Sequence, residues 1–145
     1  METFTTREQI IEVVTKLFVY TDHRKWNKLR DEVFTKEIMF DMTSLGGEAR
    51  NMPASEVCET WQKGFEAIDA VNHLAGNYLV TINNDAAADV FAYATATHYK
   101  ADATKGKTRT FVGTYDLHLV LTTNGWRMSI FKYNLSYMDG NTDLL

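Results

Sequence analysis

One cysteine in 145 residues leaves no internal disulfide and no thiolate metal cluster. One proline and eight glycines exclude collagen-like and linker compositions. No run approaches the ~18 consecutive apolar residues of a membrane-spanning helix. The opening METFTTREQ is polar and lacks the charged-then-apolar pattern of a secretory leader, so a cytoplasmic location is expected. Fifteen basic residues face nineteen acidic ones, a net charge of −4, which leaves no excess to neutralise a nucleic-acid backbone. No glycine-rich phosphate loop, nucleophile elbow or dinucleotide fingerprint occurs. The four histidines lack the short spacing of zinc ligands, so neither metal nor cofactor is expected. What is present is ordinary for a globular protein, 45% hydrophobic and 23% charged residues. The length fits one domain over 1–145.

The first half has helical periodicity. Thr6 and Gln9 have capping-box spacing, and Ile10, Val14, Leu17 and Thr21 then form one stripe, flanked by Ile11, Val13 and Phe18. Asp22-His23-Arg24-Lys25 is a polar corner before a second short helix carrying Trp26, Leu29, Val33 and Phe34. Ile38, Phe40 and Met42 alternate as a short strand, 43–51 is expected to be a loop, and Pro53 suits the first turn of a third helix ending near Phe65. The second half alternates with the period of strands over 74–82, 87–100, 109–122 and 126–137. Turns are expected at Asn83-Asn84-Asp85, Lys105-Gly106-Lys107 and Thr123-Asn124-Gly125. The class is therefore α+β, a curved antiparallel sheet packed on three N-terminal helices as a cone with one mouth. Along 87–100 one face is Val90, Ala92, Ala94, Ala96 and His98, and the other is Phe91, Tyr93, Thr95, Thr97 and Tyr99. The alanine face either packs closely on helices or leaves room for a ligand.

Three polar residues stand out against this apolar background. Asp22 ends a long apolar helix, where it either meets solvent, caps the next helix, or orients a histidine at a pocket. His73 opens a strand; as a strand-edge residue it is structural, and facing Asp22 it becomes a general base. His98 ends the alanine face and needs a partner if buried, which a substrate oxygen would supply. His23 and His118 are weaker candidates, the first in the polar corner and the second on a strand face with Thr114 and Asp116. Cys58 lies in the third helix near Trp61 and Phe65 and is expected to be a buried, structural thiol.

The corner YTDHRKWNKLR, the strand IMFDMTS, the helix start NMPASEV, then NHLAGNYLV, THY and the hairpin LTTNGWRM follow one another in a familiar order. Together, over about residues 6–137, they resemble the SnoaL-like domains of the nuclear-transport-factor-2-like superfamily, in the branch of scytalone dehydratase. The resemblance implies a cone with a deep pocket between sheet and helices. It implies an aspartate–histidine base at Asp22 and His73 and a second pocket histidine at His98. The dehydratase's serine and asparagine on the next strand correspond most nearly to Thr114 and Asp116. Where that enzyme carries two tyrosines that hold a catalytic water, this chain has Thr21 and Met42; the adjacent Tyr20 is expected to point elsewhere.

The expected activity is a cofactor-free dehydratase, isomerase or cyclase acting on a small hydrophobic hydroxy-carbonyl compound, of polyketide-like type. Asp22, His73 and His98 would be catalytic. Thr21, Met42, Trp61, Phe65, Ala94, Thr114 and Asp116 would contact substrate, with Met128 and Phe131 helping to set the pocket's size. A non-catalytic binding module and a subunit that assembles with a catalytic partner, like the small subunit of ring-hydroxylating dioxygenases, are the alternatives on the same fold. The aromatic outer face of Phe91, Tyr93 and Tyr99 suits a homodimer or homotrimer. No nucleic-acid or membrane partner is expected.

Overall fold

The structure is a computed structural model describing residues 2–145. Helix α1 (Thr6–Asp22) starts one residue earlier than the Thr6/Gln9 spacing suggests, because Thr5 and Glu8 form the capping box. The Thr5 hydroxyl accepts from the Glu8 N–H at 3.2 Å, and the Glu8 carboxylate accepts from the Thr5 N–H at 2.7 Å. The Gln9 amide instead donates to the Phe4 carbonyl. A carboxylate at a helix N-terminus also meets the positive end of the dipole, which an amide does not exploit. The stripe Ile10, Val13, Val14, Leu17, Phe18 and Thr21 is buried.

After a corner in which Arg24 adopts a left-handed backbone (φ 56°), α2 (Trp26–Lys28) continues into a π-helical turn, Leu29–Val33. Phe34 belongs to strand β1 (Phe34–Asp41) rather than to the helix. It is drawn there by a parallel pairing with the last strand, Phe34 opposite Met128. Met42 leaves the strand into a 3-10 turn, Thr43–Leu45, which Gly46 closes at φ 82°. The expected loop contains an edge strand, β2 (Ala49–Pro53), with only Met52 buried; Ile38 lies opposite Met52. Pro53 stands at the N-cap position, just before the first turn of α3 (Ala54–Gly64) and without a side-chain capping bond, and the helix ends at Phe65.

Four long strands complete the chain: β3 (Ala70–Asn84), β4 (Ala87–Tyr99), β5 (Thr108–Thr122) and β6 (Gly125–Gly140). One six-stranded sheet results, in the order β2-β1-β6-β5-β4-β3. It is curved, open and mixed rather than wholly antiparallel, because β1 runs parallel to β6. The crossover that a parallel pair requires is supplied by everything between them.

Strand alternation gives the sheet two unlike faces. The inner face of β4 (Ala88, Val90, Ala92, Ala94, Ala96, His98) is at most 7% exposed. Ala88, Val90 and Ala94 join the main core with Val14, Leu17 and Phe18 of α1. Close packing therefore occupies this end of the alanine face, and on β4 the cavity is bordered by Ala96 and His98. The outer face leaves Leu74, Leu79, Tyr93 and Tyr137 half or more exposed. Residues after β6 fold back, burying Leu144 with Ile68 and Val71 against Phe65.

Candidate functional site

Between the sheet and the helices lies a cavity of about 280 Å³. Its walls are largely apolar: Leu17 and Phe18 from α1, Met42 and Leu45 from the turn after β1, Trp61 and Phe65 from α3, and Phe111 and Phe131 from the sheet. Into this apolar enclosure project Thr21, His73, His98, Arg109, Tyr115 and Tyr133.

Asp22 is the last residue of α1, and its carboxylate reaches the start of β3. One oxygen accepts the His73 backbone N–H at 2.8 Å; the other lies 2.6 Å from His73 Nδ1. A carboxylate at a helix C-terminus faces the negative end of the dipole, so these two hydrogen bonds offset an unfavourable placement. Both side chains are nearly enclosed, at 11% and 13% exposure. Because an ionised carboxylate can only accept, Nδ1 carries a proton, and in the neutral ring the lone pair is on Nε2. Phe18 packs on the imidazole at 5.3 Å between ring centroids. The histidine is thus fixed in position and tautomer, and its free edge lines the cavity.

His98 has the opposite hydrogen-bonding character. Arg109, its partner across the β4–β5 hairpin, donates Nε–H to His98 Nδ1 at 3.0 Å. Arginine cannot accept, so the proton of His98 sits on Nε2. Burial, reinforced by the Arg109 charge, lowers the pKa of His98 to about 4, so the ring stays neutral at neutral pH. The Phe65 and Phe111 rings enclose it at 5.4 and 5.1 Å. Arg109 is held in turn by the Thr142 carbonyl, at 3.2 Å. The cavity therefore presents one imidazole as acceptor and one as donor.

Tyr115 and Tyr133 face each other across β5 and β6 with rings 4.9 Å apart. Burial, aided by the nearby Tyr133 and Asp22, keeps the Tyr115 hydroxyl well above the ordinary phenol range. The Tyr133 hydroxyl is buried and has no hydrogen-bond partner among the described residues. An orphan of this kind costs about 1–3 kcal/mol of stability.

Of the residues expected to contact substrate, Thr21, Met42, Trp61 and Phe65 line the cavity, with Phe131. Thr21 spends its hydroxyl proton on the Leu17 carbonyl at 2.6 Å. Three others lie elsewhere. Ala94 is buried in the core, and Ala96 takes its place on the wall. Thr114 and Asp116 lie on the outer face, because Tyr115 between them points inward; both accept from the Asn134 amide, at 3.3 and 2.8 Å. Met128 is fully buried core rather than lining. Tyr20 points away from the cavity and donates to Glu32. Arg109, Tyr115 and Tyr133 were not singled out by the sequence. Arg109 is found only if the hairpin is closed by 100–107 as a whole, which sets it opposite His98.

A second Asp–His pair sits on the outer face, Asp89 Oδ1 to His118 Nδ1 at 2.6 Å. The Cys58 thiol is buried, its pKa raised to about 11 by burial. Among the described residues no cluster of three His, Cys, Asp or Glu side chains is placed to hold a metal, and no helix is long and apolar enough to cross a membrane.

Solved structures share this architecture. The Kfla4162 protein of Kribbella flavida superposes with a TM-score of 0.87 at 28% identity, covering 95% of each chain. A putative scytalone dehydratase of Novosphingobium aromaticivorans gives 0.79 at 11% identity, over 92% of this chain and 85% of that one. The hexachlorocyclohexane dehydrochlorinase LinA-type3 of Novosphingobium barchaimii gives 0.77 at 9% identity, over 93% and 89%. No curated protein sequence matches. The shared architecture is the nuclear-transport-factor-2-like fold, in a version whose solved examples include proteins described as dehydratases and dehydrochlorinases. The family model for the SnoaL-like domain matches residues 2–132, and the chain belongs to that family.

Proposed function

We propose that the protein is a cofactor-independent lyase or isomerase whose general base is His73, held by Asp22. Its substrate is a small hydrophobic compound carrying a carbonyl and a hydroxyl. The observation that carries this reading is the two-point grip of Asp22 on His73, which leaves Nε2 as an acceptor at the wall of an apolar cavity. His73 Nε2 takes the proton from the carbon next to the carbonyl, and the electron pair moves onto the carbonyl oxygen as an enolate. His98 Nε2–H donates a hydrogen bond to that oxygen; enclosure by Phe65 and Phe111 strengthens it by excluding water. As the enolate collapses, a hydroxyl on the next carbon leaves and takes the proton back from His73, which gives water and an unsaturated carbonyl. Return of the proton to a different carbon gives an isomer instead. Elimination is the chemistry named for the dehydratase and dehydrochlorinase neighbours, which supports the class of reaction.

The test is α-proton exchange in heavy water, followed by NMR across a panel of cyclic hydroxy-ketones. The His73→Gln protein should lose exchange by about 10²–10⁴-fold while keeping its fold. Exchange at the wild-type rate in that variant overturns the mechanism. A second reading, a ligand-binding module without catalysis, draws on Thr21 and Met42, which place no tyrosine where the related dehydratases hold a water. Tight binding of a panel compound with neither exchange nor product favours it.

A further inference from the structure

The inner face of the sheet is built in rows of paired residues. His98 and Arg109 form one row with Val71; His73, Ala96 and Phe111 form the next; Ala75, Ala94 and Gly113 form a third. Successive rows are two residues, roughly 6.6 Å, apart along the strands. The third row lacks any side chain beyond a methyl, and the Tyr133 hydroxyl reaches it. A Cβ built on Gly113 would sit 2.6 Å from Tyr133 Oη and would also collide with the Asn134 carbonyl. Gly113 does not have positive φ, so space rather than backbone conformation requires glycine there. Tyr133 is 5% exposed, its hydroxyl has no partner, and the residue lines the cavity. The Tyr133 hydroxyl thus lies against the sheet over Gly113, beside the cavity that the residue lines, with no partner among the described residues.

We infer that Tyr133 is a specificity-determining contact: it binds a second ligand oxygen at the end of the cavity opposite His98. The ligand class is then a compact ring compound with a hydrogen-bonding oxygen at each end, its reactive carbon over His73 in the middle row. This deepens the proposed function and rests on His98 meeting the first oxygen. It concerns binding and so stands apart from whether His73 transfers a proton.

The probes are 2,6-dihydroxynaphthalene, a rigid ring system with an oxygen at each end, and naphthalene, which has none. Binding to wild-type protein, to Tyr133→Phe and to His73→Gln is followed by NMR titration. Tyr133→Phe should weaken the diol about tenfold, the worth of one well-placed hydrogen bond, and change naphthalene less than twofold. The diol should still bind His73→Gln, which separates this inference from the proton-transfer mechanism. Without ligand, Tyr133→Phe should melt no lower than wild type, and by up to roughly 3 °C higher, since a buried orphan hydroxyl has been removed. Equal affinity of the diol for wild type and Tyr133→Phe overturns the inference. So does an equal loss for naphthalene, failure of the diol to bind wild type, or a lower melting temperature in the variant, which would show that the hydroxyl serves the fold.

Discussion

The two faces of the sheet carry the same pair of residues in the same contact. Inside, His73 Nδ1 is 2.6 Å from Asp22; outside, His118 Nδ1 is 2.6 Å from Asp89. Their surroundings differ. The inner aspartate also grips the backbone N–H of its histidine and is 13% exposed. The outer one shares its carboxylate with Asn83 and is 57% exposed. The inner histidine lines an apolar cavity with a second, neutral imidazole beside it; the outer one lies in a depression on the exposed strand face with Leu79 and Ile130. Distance alone therefore does not distinguish an enclosed pair from a surface one. Enclosure and a complementary donor beside the histidine do separate them, because water screens an exposed charge-assisted hydrogen bond more than an enclosed one.

The comparison can be broken or sharpened by experiment. The largest difference is expected in turnover. Asp22→Asn should cost about 10²–10⁴-fold, since an amide can present its NH₂ to Nδ1 and reverse the tautomer. Asp89→Asn should leave turnover within about twofold. A matching loss in the outer variant, measured with the same substrate, would mean that the two pairs are coupled or that the sites have been misassigned.

Next in size is the pH dependence of stability. His98 is neutral in the folded state down to about pH 4, whereas the unfolded ring protonates near its ordinary value of 6.5. The unfolded state therefore binds more protons between those values. The stability held by the buried neutral ring is complete above about pH 6.5 and is lost as pH falls to about 4, a change on the order of 3 kcal/mol. Denaturant melts of wild type and His98→Gln at pH 4.5 and 7.5 should show a steeper loss in the wild type. Parallel losses would mean that His98 protonates freely in the fold.

The smallest effect belongs to the outer pair. His118→Gln should change stability by less than about 1 kcal/mol, and raised salt should shrink the change further. A larger, salt-insensitive loss would show that this face is covered in solution, and light scattering of the same samples would then report the number of copies in the assembly.

Much of the inner site is legible in the sequence, and the misses arise where strand register or topology decides. The long period-2 run of β4 places His98 on the alanine face, and the helix stripe brings Asp22 to the end of α1; both need only local periodicity. Thr114 and Asp116 fail because a strand's period is two, so a slip of one residue sends a side chain to the opposite face. Arg109 escapes notice because Lys105-Gly106-Lys107 is the visible turn signal, while the whole 100–107 segment forms the connection. Tyr133 depends on a neighbour's missing side chain, Gly113, seen only once the register shift between β5 and β6 is known. β2 has one buried residue in five, and nothing in so polar a segment announces a strand. The parallel pairing of β1 with β6 has no local signal at all.

That parallel pairing also sets an order of events. Phe34 is made early on the ribosome, but its partner Met128 emerges only after most of the chain. The Met42–Leu45 wall hangs from the end of β1, and Phe131 of the opposite wall belongs to β6 itself. The hairpins β3–β4 and β4–β5 can form from near neighbours, whereas β1 must wait through a costly long-range closure. The nascent chain can thus zip up three strands and still have no enclosed chamber. Until the final strand docks, the free edge of β5 and the Phe131 side of the chamber stay open to solvent and to other chains, and such an unpaired edge is prone to aggregation.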